Sequence, residues 1–339
     1  MDNSIFNGLI NLNQKDYVVY AAASAPGKLL LLGDHAVVYN HPCLVTAVDI
    51  RYDAAVQRTE SSVLEINTPE LKQRGETHCI SIYQVGQTYR RETAFVEAAV
   101  AQVQQRYGIR SGLKINTSGP ARSYGLGSSS AVTVATLAAL DSVFELGLSR
   151  RDLFSAGYQA VLDVQGLGSG FDVAAAVFGG TLYYVTGGLE IEPLHAIDLP
   201  FVVGYSGTKV GTVDLVKSVA EQRRRFPVLI DRIFAVIHDI VDAGRSSLIE
   251  RDWNTLGELI DIHQGMLEAL GVSTAKLSAL IYAARRAGAY GAKLSGAGGG
   301  DCMFAVAPTS YKPLVEQAIA DSGGELIRLS LGVEGVRVL

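Results

Sequence analysis

The residues with the plainest chemical capacity are Gly125, Leu126, Gly127, Ser128, Ser129 and Ser130, which run straight into the Ala-rich stretch AVTVATLAALDSVF at 131–144. Glycine lets a backbone approach an anion closely. The free N–H groups of a helix's first turn then point at that anion, and the helix dipole adds partial positive charge. A second glycine run, KLSGAGGGDC at 293–302, supplies Gly296, Ala297, Gly298 and Gly299. Two separated glycine loops predict a nucleotide held from two sides. The chain has no GxxxxGK[ST], its GxGxxG pattern fails at Ser130, and GLGSG at 166–170 lacks the spacing. Neither a Walker A loop nor a dinucleotide crevice is indicated.

A triphosphate over the 125–131 turn needs charge neutralised during transfer and an attacking hydroxyl held in line. Ser129, at the start of the helix, can coordinate Mg²⁺ or, with Ser128, cap the helix. Lys28 precedes four leucines in APGKLLLLGDHAVVY, at a strand's open end or snorkelling from it. There it can lower a hydroxyl's pKa or steady a migrating phosphoryl group. Asp34 and His35 follow that strand and are expected to reach the same cleft. Asp172, in GSGFDVAAAVFGG, is by residue type an N-cap, and a catalytic carboxylate is the alternative. The histidines at 41, 78, 195, 238 and 263 show no metal-ligand spacing, and no GxSxG elbow is present.

These groups must be positioned by elements of two textures. DYVVYAAAS, KLLLLGD, LVTAVDIRYDAAVQ, GLKINTS and GTLYYVT read as strands. Helical periodicity separates them at 92–107, 129–145 and 150–165. From about residue 212 the pattern is mostly helical, with the strands DCMFAVA and ELIRLSL flanking a last helix at 310–322. The change near Leu199 and Pro200 divides the chain into 1–199 and 200–339. An α+β fold of two lobes follows, with the ligands in the cleft between them.

The chain has 339 residues, 48% of them hydrophobic, enough for two substantial cores. Its net charge of −5 and short, scattered arginine clusters argue against nucleic acid. No uncharged apolar run is long enough to span a bilayer, and the first residues lack a signal-peptide pattern, so no membrane association and a cytoplasmic location are expected. Cys43, Cys79 and Cys302 are too few and scattered for a disulfide framework or a zinc site.

Taken in order, APGKLLLLGDHAVVY, YGLGSSSAVTVATLAAL, GSGFDVAAAVFGG and KLSGAGGGDC resemble the GHMP kinase superfamily over nearly the whole chain. The resemblance implies its two-lobed fold, with a β-rich N-terminal lobe and a helix-rich C-terminal lobe carrying a small antiparallel sheet. It also implies ATP and Mg²⁺ as cofactors, a small-molecule acceptor and room for a homodimer. By position it implies Lys28 near the reacting hydroxyl, Asp34 and His35 beside the acceptor, Ser129 on magnesium, and Asp172 as catalytic carboxylate. The glycines from Gly296 onward would support the phosphates and close the cleft.

GDHAVVY and the stretch HQGMLEALGVSTAKLSALIYAARRAGAYGAKLSGAGGG are similar to mevalonate kinases, implying transfer to the 5-hydroxyl of mevalonate. YGLGSS, GSGFDVAAA, GGGDC and the basic Arg122 look more like phosphomevalonate kinases, whose acceptor is 5-phosphomevalonate. His35, in place of the tyrosine expected there, favours mevalonate. A magnesium-binding glutamate belongs eleven residues before the catalytic aspartate in mevalonate kinases, and here that position is Val161, with Asp163 the nearest carboxylate. Other classes remain in view: a GHMP-like binding module, a nicotinamide oxidoreductase, and a mevalonate diphosphate decarboxylase.

Overall fold

The computed structural model describes residues 19–120, 124–194, 200–208 and 211–339. Arg122, Leu199 and the start of the DYVVYAAAS run lie outside these. The two runs expected as separate first strands form one, β1 (Tyr20–Leu32). Its pairing shifts register between Pro26 and Gly27, so the strand bends there without ending. At the bend a Cβ on Gly27 would stand 2.5 Å from the carbonyl of Leu126, and the Lys28 N–H donates to that carbonyl at 2.8 Å. Glycine at 27 thus lets the 125–127 turn lie directly on the strand. Lys28 consequently sits mid-strand, not at the strand's open end.

The next strand, β2 (Pro42–Thr59), runs antiparallel along β1. It is followed by β3 (Val63–Asn67), the short α1 (Pro69–Gln73), β4 (His78–Ser81), α2 (Ala94–Tyr107) and β5 (Gly112–Ser118). Three helices come next, α3 (Ser128–Phe144), α4 (Arg150–Gln165) and α5 (Phe171–Phe178), and then the strands β6 (Thr181–Val185) and β7 (Glu190–Leu194). The two halves of β2 have different neighbours: residues 53–59 pair with β5 and residues 42–46 with β6. Every pairing in this sheet is antiparallel except β3 with β5. α3 packs against β1, β2, α2 and α4. That explains its nearly all-round Ala, Val, Thr and Leu composition, since a helix without a polar face must be enclosed.

A second, antiparallel sheet begins at β8 (Phe201–Tyr205). After it come α6 (Thr212–Arg225), α7 (Pro227–Glu250), α8 (Trp253–Ala269), α9 (Ala275–Arg286), β9 (Gly291–Leu294), β10 (Cys302–Val306), α10 (Lys312–Asp321) and β11 (Glu325–Ile327). The strand order is β11-β8-β10-β9. The last strand, β12 (Arg337–Val338), returns to the first sheet and pairs with Ala23 and Ser24 of β1. The end of the chain is therefore tied into the lobe where it began. Among the described residues, no helix is long and apolar enough to cross a membrane.

α8 meets β9 backbone to backbone. A Cβ on Gly257 would fall on the carbonyl of Tyr290, and one on Gly291 would fall on the carbonyl of Gly257. Neither backbone can yield as a flexible side chain would. Gly257→Ala is expected to cost about 1–3 kcal/mol of stability, the range for forcing extra atoms into a packed interior. The urea midpoint measures it, and a midpoint equal to the parent's would mean that α8 can slide on β9.

Candidate active site

Gly125 and Gly127 both have positive φ, 77° and 81°, a left-handed conformation that glycine adopts at little cost. Gly127 is the N-cap of α3 and brings no side chain to bond the helix's first N–H groups. This corrects the expectation that Ser128 or Ser129 caps the helix. The uncapped end of α3 opens on a cleft lined by Gly125, Gly127, Ser128 and Ser129. Leu126 and Ser130 do not line it: both are buried, and they support the turn from behind.

Ser130 has a specific partner. Its hydroxyl donates to a carboxylate oxygen of Asp172 at 2.6 Å, joining the first turns of α3 and α5. The N-cap of α5 is Gly170, φ 89°, where a Cβ would meet the Tyr184 hydroxyl at 2.7 Å and the Tyr158 ring at 2.8 Å. Those tyrosines fix the preceding loop, Tyr184 donating to the Ser169 carbonyl at 2.5 Å and Tyr158 to that of Gly168 at 2.9 Å. Asp172 is therefore not the N-cap residue, though its other oxygen accepts from the Val173 N–H at 3.0 Å. It stands in the first turn, where a helix dipole favours negative charge, and faces the cleft. Lys28 reaches the same cleft from β1, its Nζ 3.3 Å from the Gly125 carbonyl and 5.4 Å from the centre of the Phe171 ring. The uncapped end of α3, the first turn of α5, one ammonium group and one carboxylate thus converge.

Asp34 and His35 occupy a turn of unusual geometry. His35 has φ 60° and ψ −48°, and the Ala36 N–H donates to the Asp34 carbonyl at 2.7 Å. That is the rare classic γ-turn, strained for a residue with a Cβ. It sends neighbouring side chains to different places. His35 lines the cleft, and its Nε2 lies 2.9 Å from the Ala297 carbonyl. Asp34, expected beside the acceptor, is fully buried behind it. One of its oxygens accepts from the Gly296 N–H and the other from Lys293 Nζ, each at 2.6 Å. With no exposed surface and no part in the cleft lining, Asp34 does not present its carboxylate to a molecule in the cleft, so the expected contact at Asp34 is corrected.

The third glycine motif divides in the same way. Gly296 and Ala297 line the cleft. Gly298 and Gly299 instead pack on the turn after α8: a Cβ on Gly298 would fall on the Val272 carbonyl, and the Gly299 N–H donates to it at 2.7 Å. They anchor the loop and do not form the cleft wall. Sequence reasoning missed Ser295, whose hydroxyl both accepts from the Leu30 N–H at 3.1 Å and donates to the Leu30 carbonyl at 2.9 Å. It also missed Lys293, buried inside the apolar strand GAKL. A lysine in the middle of a core strand is itself a signal of a buried partner.

As for a divalent cation, the Ser129 hydroxyl and the Asp172 carboxylate are hard oxygen donors of the kind Mg²⁺ takes. Val161 lines the cleft and offers none. Asp163 faces away, accepting from Gln102 at 2.8 Å and from Gln159 at 2.8 Å. Ser129 and Asp172 thus give the cleft two protein oxygen donors that fit a magnesium ion.

Burial lowers the pKa of His35, His41 and His263, for His263 well below the ordinary histidine value. Folding therefore disfavours protonation of these imidazoles, whereas unfolding lets them bind protons at their usual pKa of about 6.5. The unfolded state therefore binds more protons below that pH, and stability falls as pH drops. Thermal melts are expected to be flat from pH 8 to about 7 and to decline below about 6.5. His263→Gln should shallow the acid decline; an unaltered slope would remove His263 from the account.

The chain matches the family described as GHMP kinases N terminal domain over residues 94–180 and GHMP kinases C terminal over residues 245–324. It is 38% identical over 327 residues to the mevalonate kinase of Pyrococcus abyssi, covering 93% of this chain and 97% of that one. Among solved structures, a Lin0012 protein from Listeria innocua superposes with a TM-score of 0.84 at 23% identity, over 94% of this chain and 99% of that one. The mevalonate kinase of Methanococcus jannaschii gives 0.77 at 22% identity, over 91% and 98%. With both halves of the family signature present and a curated relative aligned end to end, the chain belongs to the GHMP kinase family.

Proposed function

We propose that the protein is an ATP-dependent kinase that transfers the γ-phosphoryl group of ATP to the 5-hydroxyl of mevalonate. The observation that carries this reading is the convergence of the uncapped end of α3 and the first turn of α5 on one cleft, with Lys28 and Asp172 facing it. The Pyrococcus abyssi relative, named mevalonate kinase, supports the choice of acceptor, as does His35 in the cleft wall.

In this reading the first-turn N–H groups of α3 bind phosphate oxygens, and Gly296 and Ala297 face them from the other side. Asp172 accepts the proton of the C5 hydroxyl as its oxygen bonds to the γ-phosphorus and the bond to the β-phosphate oxygen breaks, leaving ADP. The Ser130 hydroxyl holds the carboxylate in position for that transfer. Lys28 stabilises negative charge on the migrating group. Ser129 and Asp172 would hold a magnesium ion together with the phosphates, and it would supply further charge neutralisation.

ADP release by purified protein given ATP, Mg²⁺ and either mevalonate or 5-phosphomevalonate tests the proposal. Turnover is expected with mevalonate. Turnover of the phosphorylated compound alone would reassign the acceptor, CO₂ release would make the protein a decarboxylase, and no ADP with either would end the kinase reading.

A further inference from the structure

The buried side of the cleft holds charge that the transfer chemistry does not use. Lys293 and Asp34 are both fully buried and 2.6 Å apart. Asp34 sits at the end of β1 in the first lobe, and Lys293 lies on β9 in the second. The Asp34 oxygen that Lys293 leaves free accepts from the Gly296 N–H, the first glycine of the loop facing the nucleotide. Next to Asp34, the strained His35 turn makes a second link to the same loop at the Ala297 carbonyl. His263 of α8, also fully buried, lies 3.8 Å from Asp34, with neither ring nitrogen bonded. Burial and the Lys293 charge keep it neutral. The buried pair is thus one cation and one anion, with the Lys28 ammonium group the next charge that acts on Lys293.

A buried ion pair gives little net stability, because desolvation offsets the attraction, so its use lies in specificity. We propose that Lys293 and Asp34 form an interlobe latch: Lys293 fixes the Asp34 carboxylate, and that carboxylate fixes Gly296, so the third glycine loop is set before the nucleotide arrives. Both are positioning residues, acting on bound phosphate only through the Gly296 backbone. The latch rests on the proposed nucleotide site.

The test separates latch from mere packing. Replacing both charges with apolar groups, Asp34→Leu with Lys293→Met, removes the buried ions together and is expected to melt above the single variant Lys293→Met, which strands a carboxylate. ATP binding is then measured by titration calorimetry without acceptor. The latch predicts that the double variant binds ATP about tenfold or more weakly, as expected for losing the acceptor that orders a loop, while Asp34→Glu, which keeps a carboxylate, loses less. A double variant binding ATP as tightly as the parent would overturn the latch. Should the double variant not fold, Asp34→Ala, assayed well below its own melting temperature, decides on the same readout: it removes the acceptor of the Gly296 N–H, so ATP binding about tenfold or more weaker supports the latch, and parental affinity overturns it. A parent that binds no ATP would instead refute the nucleotide site.

Discussion

Asp172→Asn is expected to reduce kcat by about 100-fold to 10,000-fold, the range for losing a general base, while leaving the melting temperature and ATP affinity near the parent's. The structure explains why the fold should survive. The Asn amide oxygen can still accept from the Ser130 hydroxyl, the bond that joins α3 to α5 at 2.6 Å. Gly170 is the N-cap residue of α5, and the one bond an Asn cannot keep is the local acceptance from the Val173 N–H at 3.0 Å within the same first turn. What disappears is an oxygen able to take a proton from an attacking alcohol. Single-turnover kinetics with saturating ATP isolate that step. A variant that turns over within a fewfold of the parent would remove Asp172 from the chemistry, and one that melts early would recast it as structural.

The same region shows what a sequence can and cannot disclose. The β-branched and leucine runs marked β1, β2, β5, β6 and β10, and the 3.6-residue pattern marked α2, α3 and α4, because those elements bury one face or all faces behind apolar residues that recur at the element's own spacing. The strands β3, β4 and β9 place a charged or polar residue inside only four or five positions, which interrupts any apolar run, whereas β8 is as short and apolar as β6 and β10 and carries the same signal. In the site, Lys28, Ser129 and Asp172 are legible because glycine-rich turns flank helix starts. Asp34 is not, because its direction depends on a γ-turn at His35 that no local residue preference announces. Lys293 and His263 lie on β9 and α8, far along the chain from Asp34. Only the folded chain shows that they share one buried space. Glycine is ambiguous in a similar way: Gly296 faces the cleft, whereas Gly298 exists to let the loop touch the Val272 backbone.

Lys28→Met is expected to lower kcat by about 100-fold to 1,000-fold, the usual loss when one preorganised charge is withdrawn from a transition state, with the KM for ATP changing far less. Ground-state phosphates already have the α3 N-terminus, so the lysine's charge matters most where charge migrates between oxygens. Methionine preserves the stem that packs beneath Gly127, where a Cβ would come within 2.9 Å of the Lys28 Cγ, so packing is kept and charge alone is removed. Lys28→Arg is not expected to rescue activity. Its planar fork is larger and holds its donors in a different geometry, and the space between the Gly125 carbonyl and the Phe171 ring is shaped to a single ammonium group. Separate measurement of kcat and KM decides the matter: a rise in KM with kcat intact would make Lys28 a binding residue for ground-state phosphate, whereas a fall in kcat alone ties its charge to the phosphoryl group in flight.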